Sequence, residues 1–140
     1  MTNHQGETPE ELARRMAVEQ TEQLSEAEFR VLREKGTEPP FSGRYLCEKR
    51  KGRYRCAGCG EILYESEAKF DSGTGWPSFY EAVSQDVLKT EIDTCHGMTR
   101  MEILCACCNG HLGHLFDDGP APTGMRHCVN SAALRFEPEE

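Results

Sequence analysis

The chain has 140 residues, 37% hydrophobic and 29% charged, which is enough for one domain with a real core and too little for two comfortable ones. Met1 to Glu11 lacks the basic-then-apolar pattern of a signal peptide, and no apolar run approaches the roughly 18 residues of a membrane span, so a cytoplasmic protein without membrane contact is expected. The formal net charge of −8 argues against nucleic acid as the main partner, because phosphate binding rests on positive charge; a monomer is expected.

In chain order, Thr8-Pro9-Glu10-Glu11 predicts a helix start, with a threonine cap, proline at the first helical position and glutamate three residues after the cap. Ser25 and Glu28 form a second capping box, with Leu24 and Phe29 spaced for a hydrophobic staple. That helix should carry Phe29 and Leu32 on one face and stop at Gly36, before Pro39-Pro40 forbids continuation. From Phe41 the texture changes to short apolar runs punctuated by glycine, with β-rich stretches at EILYE, TRMEILC, HLGHLF and HCVNSAALRF. A mainly β domain with a small α part follows, built of antiparallel strands. The expected division is an N-terminal extension over 1–24, partly helical, a single domain over 25–136, and an acidic tail over 137–140, with the extension and the tail the mobile parts. The basic run KRKGRYR, Lys49 to Arg55, reads as a solvated hairpin edge in preference to a nucleic-acid patch.

Eight cysteines in a reducing compartment point to metal binding or redox chemistry rather than to a disulfide framework. CAGCG supplies Cys56 and Cys59, and CACC supplies Cys105 and Cys108. Two thiolates separated by two residues can converge on one tetrahedral ion, and two such turns complete four sulfur ligands, leaving no open position, so the metal should be structural zinc. The intervening residues 60–104 exceed the roughly 15 to 20 of a compact zinc ribbon, so strands are expected between the knuckles. Cys107 offers an alternative partner for Cys105; matching the first spacing favours Cys108.

Cys128, in MRHCVNS, has no cysteine partner nearby. On a strand, Arg126, Cys128 and Asn130 would share one face, with His127 and Val129 on the other. A guanidinium beside a thiol favours the reactive thiolate, yet a strand cysteine is commonly inert, and the local sequence leaves both readings open. His111 and His114 are three apart around Gly113 and would converge on one pocket only if the chain turned there; proton transfer is the favoured role for the pair, ahead of a second metal or simple packing. Trp76, the single tryptophan, sits in a Gly/Pro-rich loop, held either for packing or for a ligand. Two rival readings stand beside an enzyme: a zinc-ribbon nucleic-acid-binding module using Lys49 to Arg55, and a zinc-stabilised scaffold whose thiols only sense oxidation.

GTEPPFSG (36–43), KFDSGTGWPSFY (69–80), HGMTRMEILC (96–105), HLGHLFDDGP (111–120) and MRHCVNSAALRF (125–136) together strongly resemble the B-type methionine sulfoxide reductases. The likeness runs from Ser25 to Phe136. It implies reduction of the R epimer of methionine sulfoxide in peptides and proteins, with thioredoxin as the reductant, on a fold of two antiparallel sheets braced by zinc on Cys56, Cys59, Cys105 and Cys108, with N-terminal helices. It assigns the nucleophile to Cys128, proton supply to His111 and His114, support of the thiolate and of the polarised oxygen to Arg126 and Asn130, and substrate contact to Trp76 and Asp118, the latter holding a histidine or a water. His127 stands where an aromatic residue is often found and should point away from Cys128. Many relatives carry a second, resolving cysteine at the position of Thr74, and threonine cannot form a disulfide. Cys47, in a glycine-flanked charged loop, is the expected substitute, with Cys95 and direct reduction by an external thiol as alternatives.

Overall fold

The computed structural model describes residues 24–139, so the helix start read at Thr8 lies outside the described residues. Helix α1 (Glu26–Glu34) begins on the expected capping box. Ser25 Oγ accepts from the Glu28 amide, and the Glu28 carboxylate accepts from the Ser25 amide. Its end differs from expectation: the left-handed cap falls on Lys35, at φ 59°, rather than on Gly36. The buried face also differs. Glu28, Val31 and Leu32 are buried, while Phe29 is 40% exposed. Positions 28, 31 and 32 form one helical stripe, and a glutamate on it disguises the inward face. Glu28 is stabilised there by Arg135, whose Nε and Nη2 donate at 3.1 and 3.2 Å.

The rest of the chain forms two antiparallel sheets, as expected. The smaller consists of β1 (Gly52–Cys56), β2 (Ile62–Glu65) and β9 (Leu134–Pro138), in the order β2-β1-β9. The larger holds β3 (Lys69–Phe70), β4 (Ser78–Phe79), β5 (Leu88–Asp93), β6 (Arg100–Cys105), β7 (His111–Phe116) and β8 (Arg126–Val129), in the order β3-β4-β8-β7-β6-β5. The run HCVNSAALRF becomes two strands, because a short 3₁₀ turn at Ser131–Ala133 carries the chain from β8 in one sheet to β9 in the other. β9 pairs along the free side of β1, with Tyr54 opposite Phe136 and Arg53 opposite Glu137. Residues 52–55 of the basic run therefore lie in a central strand rather than at a hairpin edge, Lys49 to Lys51 precede it as exposed loop, and part of the expected acidic tail is strand.

The sheets meet through aromatic rings. Tyr64 stacks on Phe79 at 4.3 Å, and Tyr54 meets Phe79 at 5.0 Å and Phe136 at 4.8 Å. All of these rings except Phe136 are fully buried, and such pairs contribute beyond their apolar area. Val31 and Leu32 of α1 join the same core.

Candidate active site and metal centre

Two knuckles face each other with matching backbone geometry. In the first, the Cys56 amide donates to Glu61 O and the Gly60 amide to Cys56 O, with Gly60 at φ +83°. In the second, the Cys105 amide donates to Gly110 O and the Asn109 amide to Cys105 O, with Asn109 at φ 63°. The shared turn pairs Cys56 with Cys59 and Cys105 with Cys108, leaving Cys107 exposed outside the cluster. The four Sγ atoms lie within 4.8 Å of one another, with Cys56–Cys108 and Cys59–Cys105 both at 3.6 Å. A tetrahedron of sulfurs about 2.3 Å from a central ion has edges of about 3.8 Å, so the donor set fits a closed four-coordinate site. Without a cation the thiols cannot ionise together: hydrogen bonds with Cys105 and Cys108 push Cys56 and Cys59 well above the usual thiol range. Leu32 and Arg33 of α1 close the cluster, Arg33 donating to Cys108 O at 3.1 Å, and a side chain at Gly110 would strike Leu32.

Cys128 lies on β8, two strands away in the same sheet from β6, which leads into the second knuckle. In register, Glu102, His114, Cys128 and Ser78 are successive cross-strand partners, which puts their side chains on one face. Arg126 joins that face by alternation. Its guanidinium sits over the Phe116 ring at 4.3 Å and is held by Asp118 through contacts of 2.8 and 3.2 Å. Burial pushes the Cys128 thiol up, outweighing the pull toward thiolate from Arg126 and the Thr74 hydroxyl. The expected effect of Arg126 is present, and desolvation is larger.

The histidines reach this face without a turn. Both belong to β7, where a regular strand would send residues three apart to opposite sides. The β6–β7 register shifts between Ile103 and Leu104, so that Ile103 faces Gly113 and Leu104 faces His111. The extra residue on β7 restores His111 to the side of His114, and the rings stand 5.5 Å apart. Gly113 is required here, because a Cβ would overlap the backbone of Cys128. His111 Nδ1 contacts Glu102 Oε2 at 2.7 Å, and His114 Nε2 contacts Asp93 Oδ2 at 2.8 Å. His111 Nε2 is buried with no protein partner, and burial holds its imidazole below its ordinary value in spite of Glu102. Asp93 is held far below the usual carboxylate range, first by the bond with His114.

Two loops clasp each other across the site. The strap of residues 36–43 is fastened at Glu38: its amide donates to Asn130 Oδ1 at 3.0 Å, its carbonyl accepts from Trp76 Nε1 at 3.0 Å, and its Oε1 accepts from the Ala132 amide at 2.9 Å. The Phe41 amide donates to Gly75 O at 2.7 Å. Asn130 also donates to Leu112 O at 3.0 Å, so its amide anchors the strap to β7. Ser72 Oγ links Thr74 Oγ1 and Ser78 Oγ, each at 2.8 Å.

The structure thus brings together Cys128, Arg126, Asn130, Trp76, His111 and His114. Asp118 departs from expectation, since it pairs with Arg126 rather than holding a histidine. Those carboxylates are Asp93 and Glu102, which sequence reasoning missed together with Glu38 and Lys35. The available signal was a charged residue at an inward position of a strand, as in MEILC. Cys47 is exposed in a turn tied down by Lys69 Nζ on Leu46 O at 2.9 Å, and Cys95 is exposed with its amide on Asp93 Oδ1 at 2.9 Å. His127 points away from Cys128, as expected, and its Nδ1 meets Tyr64 Oη at 3.0 Å. In the basic run, Arg50 pairs with Glu48 and Arg55 with Glu137, so two of its five charges are already answered by the protein.

Residues 24–138 match the model of the SelR domain. Among curated relatives, the peptide methionine sulfoxide reductase MsrB of Thiobacillus denitrificans is 56% identical over 118 residues, covering 84% of this chain and 89% of the relative. The proteins of the same name from Bradyrhizobium diazoefficiens, 58% identical over 117 residues with 84% of each chain covered, and Methanosarcina barkeri, 51% identical over 129 residues with 89% and 91% covered, agree. The strand-borne cysteine, its histidine pair and the four-sulfur knuckles therefore sit in a chain that belongs to the SelR-domain family, the family of the B-type methionine sulfoxide reductases.

Proposed function

We propose that this protein is a peptide-methionine (R)-S-oxide reductase, with Cys128 as nucleophile. The observation that supports this most directly is Cys128 set beside His114 in register, within one face that also carries Arg126 and the Glu102-bound His111. Sγ of Cys128 bonds to the sulfoxide sulfur, the S–O bond breaks, and the oxygen ends on Sγ as a sulfenic acid while methionine departs. Sulfur of the substrate is reduced and sulfur of Cys128 is oxidised by the same two electrons. The thiol proton, relayed by His111 and His114 with a water, ends on the oxygen, where negative charge would otherwise build up. Trp76 packs against the substrate methyl group and selects the R epimer; Arg126 supports the thiolate and the polarised oxygen, with Asp118 acting through Arg126, and Asn130 keeps the strap over the site.

Cys47 then attacks the sulfenic acid, releasing water and forming a disulfide that thioredoxin reduces. This needs the 44–47 turn to leave Lys69. The four-cysteine cluster holds zinc, which when bound supplies a structural crosslink between the knuckles. The protein works as a monomer in the cytoplasm, where free cysteines persist. The test presents separated R and S epimers of a peptide sulfoxide with thioredoxin or dithiothreitol. Turnover of R alone, lost in Cys128→Ser with fold and metal content preserved, is expected; turnover of S alone, or full activity in Cys128→Ser, overturns the proposal. After one equivalent of substrate, peptide mapping should show Cys47 linked to Cys128. A Cys95 link or unlinked sulfenic acid removes Cys47 from that role.

A further inference from the structure

We propose that Lys35 is a positioning residue for the histidine pair: its ammonium neutralises in common the two carboxylates that hold His111 and His114, and so decides how readily each ring takes up a proton. Lys35 caps α1, one residue past Glu34, and it adopts a left-handed conformation uncommon for a residue with a side chain. That conformation sends Nζ between β5 and β6, 3.3 Å from Asp93 Oδ1 and 3.2 Å from Glu102 Oε1. Each carboxylate gives one oxygen to Lys35 and the other to a histidine: Asp93 Oδ2 to His114 and Glu102 Oε2 to His111. The carboxylate side chains are 2% and 7% exposed, whereas that of Lys35 is 41% exposed. The bridge therefore connects buried proton chemistry to a residue at the surface.

The other charges around the pair make the effect unequal. Asp93 also has Arg100 Nη2 at 3.8 Å, the Cys95 amide at 2.9 Å and the Cys95 thiol against it. Glu102 has Lys35 as its one cationic side chain among the described residues, besides His111 itself. Glu91, opposite Glu102 in register, is exposed, and Arg126 on β8 is engaged by Asp118. Removing the ammonium leaves Glu102 with a full negative charge directed at His111, while Asp93 keeps Arg100. His111 should then bind its proton more tightly, and His114 should change less. The positive charge of Lys35 acts on His111 in the same direction, against protonation.

The catalytic consequence rests on the function proposed above; the ring titration does not. Histidine ring signals of the zinc-loaded protein are followed by NMR against pH in wild type, Lys35→Met, Lys35→Gly and Lys35→Arg. Lys35→Gly removes the charge while relieving the left-handed backbone, so a folded neutral variant is available even where methionine is poorly accommodated. Both neutral variants should raise the His111 midpoint by on the order of one pH unit, the shift expected of one charge within about 6 Å. His114 should move less, and Lys35→Arg should lie near wild type. The rate of sulfenic acid formation should extend to correspondingly higher pH, through kcat rather than KM. Unmoved rings in a folded neutral variant overturn the proposal, even where the melting temperature falls, as does an equal shift of both rings. Failure of the wild-type protein to reduce sulfoxide would overturn the function and leave the ring titration standing.

Discussion

Replacing His127 by phenylalanine isolates the cost of burying a neutral imidazole between the two sheets. His127 is pushed down to about 4 by burial alone, whereas an imidazole in the unfolded chain titrates near 6.5. Above pH 6.5 the ring is neutral in both states and contributes no pH dependence. As pH falls from 6.5 to 4 the unfolded chain binds the proton and the folded protein does not, so folding is progressively penalised; below 4 the penalty is constant. The linkage relation gives a loss of about 2 kcal/mol at pH 5. The substitution itself strands the buried Tyr64 hydroxyl, which contacts His127 Nδ1 at 3.0 Å, at a cost of about 1 to 3 kcal/mol that does not vary over this range. Urea unfolding of wild type and His127→Phe at pH 7.5 and pH 5 separates the two contributions. The variant should be the weaker protein at pH 7.5, and its deficit should shrink by about 2 kcal/mol at pH 5. Effects of acid on the metal site and the other histidines are common to both proteins and cancel. A deficit of equal size at the two pH values would refute the argument that His127 is buried neutral.

The assignment of the second knuckle makes two substitutions diverge: Cys107→Ser should keep one bound zinc per chain by elemental analysis, whereas Cys108→Ser should lose it and unfold much of the domain, since structural zinc contributes about 10 to 16 kcal/mol. Equal zinc loss in both would contradict the turn geometry at Asn109. Thr74→Cys puts a thiol where a hydroxyl now reaches Cys128, so one equivalent of sulfoxide should give a disulfide between positions 74 and 128 on non-reducing peptide mapping, in place of any link from Cys47.

The parts of the fold that were legible in the sequence are those where one residue type does one local job. The Ser25–Glu28 box, the two cysteine spacings and the alternation around Cys128 each state a geometry within four residues, and the structure adopts it. The errors share a different cause, which is pairing that depends on distant residues. Glu28 and Lys35 turn toward the sheets because Arg135, Asp93 and Glu102 meet them there, and an apolar periodicity cannot register a charge whose partner is 58 or more positions away. The same reason hid the carboxylates that hold His111 and His114. Local reading let the histidines converge only if the chain turned between them, because a regular strand sends residues three apart to opposite sides; the bulge that brings them together exists only once β6 is alongside. A buried ionised group needs a partner of opposite charge, so each inward acid in this chain fixes the position of a cation or imidazole as firmly as an apolar contact would. The reactive face is accordingly built less from its own strand than from charges brought to it: Lys35 from the helix, Glu102 and Asp93 from β6 and β5, and Glu38 from the strap. In the proposed reaction Cys128 supplies the sulfur, and these residues direct the proton.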